Sequence, residues 1–114
     1  MSLRTDKLLQ NLGIDPETVH FDVTIITPDE MRELNRQHRG KDKTTDVLSF
    51  PMLELKPGEI PTRATFPLDI NPETDKIELG DIVVNETEPD PEFLIDHGLM
   101  HLLGYHHGDH EEDH

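Results

Sequence analysis

The sequence contains no cysteine, no tryptophan and a single tyrosine. Without cysteine there is neither a disulfide framework nor a thiolate ligand, so any transition-metal site must be built from histidine and carboxylate side chains. No apolar run approaches the ~18 residues that a membrane-spanning helix needs, and the N-terminus carries no signal-peptide core. These absences predict a cytoplasmic protein without a membrane segment.

Apolar residues are also scarce. They make up 32% of the 114 residues, below the ~45–50% of typical globular chains. This predicts a single domain over residues 1–114, with a modest core and a substantial share of loop. The net charge of −15 opposes general nucleic-acid binding by the chain as a whole.

Positive charge is concentrated in one place. Half of the ten lysine and arginine residues lie within twelve positions, and they are Arg32, Arg36, Arg39, Lys41 and Lys43. On an acidic body this group, which we call the basic segment, would attract a polyanion to one spot. The alternative is an ordinary solvated helix face followed by a turn.

Hydrophobic periodicity and turn residues predict three helices and three strands. The predicted helices cover residues 5–12, 28 to about 38, and 91–103, and the predicted strands cover 20–27, 46–50 and 79–85. The second helix starts at a capping box, Thr27-Pro28-Asp29-Glu30, with proline at its first position. A proline-punctuated acidic loop with room for a short hairpin is predicted over residues 52–78, and a frayed tail over 108–114.

The last predicted helix carries histidines on one face. Asp90 can cap this helix and Gly104 can end it. Within it His97 and His101 are four residues apart, so their imidazoles lie one above the other. The opposite face is apolar and can anchor the helix in a core, through Ile95, Leu99 and Leu102.

Gly104 turns the backbone so that His107 can approach His97 and His101. Three imidazoles with an open fourth position form a catalytic zinc site, so the sequence predicts one bound Zn²⁺ ion. The alternative is a pair of surface histidines followed by a polar tail. The spacing also matches that of metzincin peptidases, but these carry a glutamate base directly after the first histidine, where this chain has Gly98.

Three segments resemble one family, the YbeY endoribonucleases, which mature ribosomal RNA in bacteria. The segments are LNRQHRGKDKTTDVLSFP at residues 34–51, LGDIV at 79–83 and HGLMHLLGYHH at 97–107. The resemblance implies an α+β fold with a small mixed β-sheet, helices, and a zincin-like metal-site helix at the C-terminal end. It also implies that His97, His101 and His107 hold the zinc ion, and that Arg39 is the catalytic basic group beside it.

The implied function is a zinc-dependent endoribonuclease that cleaves single-stranded RNA in small-subunit ribosomal RNA maturation and in ribosome quality control. The implied partners are ribosomal RNA and the ribosome or ribosomal proteins, which could supply affinity that an acidic body lacks. We expect the other members of the basic segment to contact the RNA backbone, which positions RNA without reading its sequence. They are Arg32, Arg36, Lys41 and Lys43.

The chain departs from the family's pattern near the third ligand. His106 stands where the family has aspartate, so two adjacent imidazoles compete for the metal, and the connection from Asn85 to Pro91 is shorter. Two other functions stay open from the sequence. One is a metallopeptidase, which Gly98 opposes, and the other is a non-catalytic module in which metal stabilises a ribosome-binding fold.

Overall fold

The computed structural model describes residues 3–105, which form three α-helices, two 3₁₀ turns and a four-stranded sheet. The helices are α1 (Leu3–Asn11), α2 (Pro28–Arg39) and α3 (Pro91–Leu102). The strands are β1 (Val19–Ile26), β2 (Val47–Pro51), β3 (Ile70–Asn71) and β4 (Lys76–Asn85). The 3₁₀ turns cover Pro16–Thr18 and Pro67–Asp69.

Strand β4 is the centre of a mixed sheet. β1 runs parallel to β4, whereas β2 and β3 pair with it antiparallel. A parallel pair needs a long crossover connection, and here α2, β2 and β3 all lie between β1 and β4 in the chain. The expected α+β fold with a small mixed sheet is therefore confirmed.

The two faces of the sheet are covered by different helices. Successive residues of a strand point to opposite faces. On one face, Val19 and Ile82 pack with Leu99 of α3 in the main core, which α1 also joins. On the other face, Val83 packs with Met31 of α2 in a smaller cluster. The histidine-bearing helix α3 therefore lies on the face opposite α2, against β2 and β4.

Helix α2 begins at the predicted capping box. The backbone N–H of Glu30 donates to Thr27 Oγ1 at 3.2 Å, and the backbone N–H of Thr27 donates to Glu30 Oε1 at 3.0 Å. The second bond lowers the pKa of the Glu30 carboxyl below its ordinary value. The helix ends at Gly40, whose φ of 72° is the left-handed conformation that glycine adopts at low cost.

Thr27→Ala is expected to destabilise the protein by about 1 kcal/mol at neutral pH, because it removes the acceptor at the helix start. The lowered pKa of Glu30 means that its carboxylate stabilises the fold above the ordinary glutamate pKa, and that this contribution is lost as the pH falls through the lowered value. The Thr27 hydroxyl also donates to that carboxylate. Urea unfolding should therefore show a smaller difference between wild type and variant in acid, and an unchanged difference would contradict this account.

The predicted helices and strands are confirmed, with the largest difference at the start of β4. This strand begins at Lys76 instead of residue 79, so the loop predicted over residues 52–78 is shorter than expected. The added residues pair with β3 in a short hairpin across residues 72–75. The tail predicted over residues 108–114 lies outside the described residues. Between residues 3 and 105, no helix has the length and apolar character to cross a membrane.

Candidate metal centre

Helix α3 is capped and anchored largely as its sequence predicts. Asp90 Oδ1 accepts a backbone N–H bond from the first turn at 3.1 Å. Leu99 and Leu102 are almost completely buried, whereas Ile95 is only half-buried. Leu94, which the predicted apolar face omitted, is also buried. The helix is thus fixed to the sheet along one stripe, and its orientation is determined by packing.

The imidazoles of His97 and His101 lie side by side on α3. Their ring centroids are 4.9 Å apart and their planes differ by 33°. Both side chains are half-buried, and Nε2 of each is shielded from solvent. Two imidazoles that share a tetrahedral ion at about 2.1 Å have centroids roughly 5 Å apart. The observed spacing therefore fits one shared metal ion, although the role of these residues as ligands stays a prediction.

Gly98 lies at the closest approach of α3 to the sheet. A Cβ at this position would stand 2.8 Å from Ile82 Cγ2 and 3.0 Å from Ser49 Oγ. Ser49 Oγ in turn donates to the Gly98 carbonyl at 3.3 Å. Position 98 therefore faces the sheet and has no room for the glutamate that a metzincin peptidase carries there. This geometry removes the support that the histidine spacing gave to a peptidase.

The C-terminal end of α3 packs against the segment that follows β2. Gly104 has a φ of +97°, and a Cβ there would lie 2.2 Å from the Leu55 carbonyl oxygen. Tyr105 Oη accepts a bond from the backbone N–H of Gly58 at 2.9 Å. Beside these contacts lies a cavity of ≈ 240 Å³ whose lining includes His101. His101 therefore borders a space that could admit part of a substrate.

The third predicted ligand, His107, and its neighbour His106 lie outside the described residues. Gly104 has a φ of +97°, and the predicted return of the chain towards the histidine pair falls on residues outside the described range. Which of the two histidines completes the site stays a prediction.

Arg39 ends α2, and the later part of the turn after it accepts hydrogen bonds from two buried asparagines. Asn35 Nδ2 donates to the Lys43 carbonyl at 2.9 Å, and Asn85 Nδ2 donates to the Thr45 carbonyl at 3.1 Å. The Arg39 side chain is half-buried, with Nη1 shielded from solvent. Its guanidinium is thus held close to the protein, unlike a typical surface arginine that extends into water.

Strand β2 connects the end of α2 to the histidine helix. The His38 ring packs on the Phe50 ring with centroids 4.4 Å apart, while the adjacent Ser49 contacts Gly98 of α3. Neighbouring residues of one short strand therefore touch both helices. His38 of α2 and Gly98 of α3 thus contact neighbouring residues of β2 from opposite faces of the sheet, and the catalytic role of Arg39 stays a prediction.

Two arginines among the predicted RNA contacts form ion pairs on the surface. Arg32 Nε lies 2.8 Å from Asp42 Oδ1, and Arg36 pairs with Glu33. In both pairs the hydrogen bond from the guanidinium lowers the pKa of the carboxyl group. All four side chains are at least half exposed, where ion pairs are weak. A phosphate could therefore replace either carboxylate, and the RNA contacts stay predictions.

Sequence reasoning missed a second group of residues that could hold a metal. His20, Asp22 and Glu78 each offer a ligand atom, and these atoms lie within 4.8 Å of one another. The only local signal is histidine and aspartate two residues apart on a strand, which puts both on one face. Glu78 comes from β4, and no sequence pattern predicts that β4 pairs with β1.

Comparison with known proteins gives a consistent result. The family model described as Endoribonuclease YbeY matches residues 3–114. An Endoribonuclease YbeY of Lysinibacillus sphaericus is 40% identical over 95% of this chain and 74% of its own length. That of Dehalococcoides mccartyi is 32% identical over 89% of this chain and 64% of its own length.

Some curated relatives are considerably longer than the chain. It spans 58% of the length of the Exiguobacterium sibiricum Endoribonuclease YbeY, to which it is 38% identical. Among solved structures, a solution structure of a Thermotoga maritima protein is 29% identical, covers 94% of this chain and 71% of that one, and has a TM-score of 0.41.

Proposed function

Because the chain belongs to the YbeY endoribonuclease family, we propose that it is a zinc-dependent endoribonuclease that cleaves single-stranded RNA. We propose further that it acts in the cytoplasm, in the maturation of ribosomal RNA and in ribosome quality control. The observation that carries the proposal is the pair of half-buried imidazoles of His97 and His101, 4.9 Å apart on a firmly anchored helix.

The donor set fits a zinc ion. In this proposal His97 and His101 hold the ion together with His107. Neutral imidazoles leave a zinc ion its full +2 charge, so that when bound it can lower the pKa of a water ligand from about 15.7 to about 7. The chain's own contribution is to fix the rings, since α3 is held by buried leucines and by the close contact at Gly98. The cavity beside His101 leaves space for the RNA backbone.

Arg39 is proposed to stabilise negative charge on the phosphate under attack. Its planar guanidinium can donate to two phosphate oxygens at once, whereas a lysine ammonium acts as a point charge. In support of this role, the Arg39 side chain is half-buried and its Nη1 is shielded from solvent. A preorganised donor of this kind stabilises the transition state without reorganising during the reaction.

The strongly negative net charge of the protein favours a partner that presents the RNA to it. The net charge of −15 gives poor non-specific affinity for a polyanion, because such affinity grows with the number of phosphates that basic side chains neutralise. We propose that the ribosome or its proteins present the RNA to the basic segment. The exposed ion pairs of Arg32 and Arg36 would then be exchanged for phosphates.

The proposal is tested by incubating the zinc-loaded protein with a fluorescent single-stranded RNA, the matching duplex, and casein. We expect cleavage of the single strand, loss of cleavage with a chelator, and recovery on adding zinc. Cleavage of casein instead of RNA would support a peptidase. Unfolding by the chelator, with no RNA cleavage by the holo protein on naked RNA or on ribosomal particles, would support a non-catalytic module.

Arg39→Lys is expected to lower the rate of RNA cleavage roughly 100-fold while leaving zinc content unchanged, because the positive charge stays but the two-point contact is lost. The measurement is single-turnover cleavage combined with elemental analysis. Lys7→Arg, on the exposed face of α1, is the control for exchanging an ammonium and a guanidinium on the surface. An unchanged rate for Arg39→Lys would remove Arg39 from the mechanism.

A further inference from the structure

His20, Asp22 and Glu78 form a compact ligand group on strands β1 and β4. His20 Nε2 lies 3.0 Å from Asp22 Oδ1, and these two residues are two apart on β1. Glu78 is the direct partner of His20 in the parallel pairing of β1 and β4. Side chains of directly paired residues on one face stand about 5 Å apart. The backbone of two strands thus places all three ligands together.

The alternation along β1 places this group on the face of the sheet opposite the main core. Val19 and Phe21 lie in that core with α1 and α3, so the intervening His20 and the following Asp22 face the other side. Ile26, on that same side of β1, packs with the cluster of α2. Helix α2 therefore covers the far end of this face. The other end is accessible, with the side chains of His20 and Asp22 38% and 62% exposed.

Two structural features next to Glu78 orient its carboxylate for binding a metal ion. Asn71 Nδ2 donates to Glu78 Oε2 at 3.1 Å, which fixes one oxygen and leaves the other for a ligand. The pairing of β1 with β4 shifts by one residue directly after Glu78, and a bulge of this kind re-aims the neighbouring side chains. Hydrogen bonds that orient a metal-binding carboxylate are a usual part of metal sites.

We propose that His20, Asp22 and Glu78 bind a second divalent transition ion, of the class of Mn²⁺, Co²⁺ or Zn²⁺, distinct from the ion proposed for α3. One imidazole and two carboxylates suit these borderline ions and neutralise their charge. Ligand atoms around an ion at about 2.1 Å stand about 3.4 Å apart in tetrahedral geometry. His20 Nε2 and Asp22 Oδ1 already stand 3.0 Å apart, and all three ligand atoms lie within 4.8 Å of one another, so binding an ion requires an approach of at most about 1.4 Å.

The test measures Mn²⁺ binding by the 114-residue chain. In NMR spectra of the wild type loaded with one equivalent of zinc, which fills the site proposed on α3, one equivalent of paramagnetic Mn²⁺ should broaden amide signals of residues 19–23 and 77–79. In calorimetric titrations of the His97→Ala/His101→Ala variant, one site should persist. Adding His20→Gln or Glu78→Gln to this variant should weaken its affinity for Mn²⁺ at least about 100-fold. Loss of a residue that only orients a ligand typically weakens metal affinity roughly 10–100-fold. Glu73→Gln, in the exposed turn between β3 and β4, should leave it unchanged.

Several outcomes would overturn the proposal. One is broadening centred on residues other than those of β1 and β4, which can be read in the wild type even if the double variant fails to fold. Another is equal weakening by Glu73→Gln and Glu78→Gln, which would indicate diffuse attraction to acidic groups. Undiminished affinity after His20→Gln would likewise exclude a site built on the imidazole. The experiment uses no RNA, so its result does not depend on the proposed endoribonuclease activity.

Discussion

His97→Ala and His101→Ala are each expected to reduce RNA cleavage by at least about 1,000-fold and to lower bound zinc by one ion per chain. Loss of one preorganised donor typically costs roughly 10²–10³ in rate, and loss of a ligand removes the whole ion and its Lewis acidity. The rings stand 4.9 Å apart with shielded Nε2 atoms, and each would supply one nitrogen donor, so loss of either ring leaves the proposed ligand set incomplete. Elemental analysis and single-turnover cleavage measure both effects.

His38→Ala is the matched control, because it also removes an imidazole but one that packs on Phe50 outside the histidine helix. It should retain the zinc of the wild type. The same assay on His106→Ala and His107→Ala identifies which adjacent imidazole completes the site. A His97→Ala variant with wild-type zinc and wild-type cleavage would show that the metal centre is not on α3.

Local sequence signals predicted the starts of the helices well. The capping box at Thr27 and the cap at Asp90 each appear with the predicted hydrogen bonds, because a cap involves only residues three positions apart. Gly40 likewise ends α2 with a positive φ. The pair His97 and His101 was predictable for the same reason, since spacing along one helix determines which side chains stand together.

Features that depend on distant parts of the chain were not predictable. The extension of β4 to Lys76 is stabilised by pairing with β1 and β3, and neither partner is indicated by residues 76–78 themselves. The ligand group on β1 and β4 needs the same pairing to bring Glu78 to His20. The sequence showed that residue 98 is not glutamate, but only the structure shows that Ile82 occupies the space a side chain would need.

Gly104→Ala is expected to destabilise the protein by about 3 kcal/mol or more. Two separate effects contribute to this loss of stability, namely backbone strain and a steric clash. An alanine at a φ of +97° is strained by roughly 1–2 kcal/mol, and its Cβ would stand 2.2 Å from the Leu55 carbonyl oxygen. That atom belongs to the backbone and cannot rotate away, so the segment after β2 must move, as in overpacked cores that lose roughly 1–3 kcal/mol. Urea unfolding followed by circular dichroism measures the loss.

The Gly58→Ala variant separates the backbone strain from the steric clash. Gly58 has a φ of +87°, but no atom lies within 4 Å of the position that a Cβ would take, so alanine there should add only the conformational strain of roughly 1–2 kcal/mol. Equal destabilisation by the two variants would show that the contact with Leu55 relaxes freely. The segment that contains Leu55 also bounds the cavity beside His101. If Gly104→Ala lowers the free energy of unfolding more than Gly58→Ala does, and also weakens zinc binding at low urea, the close contact between Gly104 and Leu55 also holds the histidine pair in position.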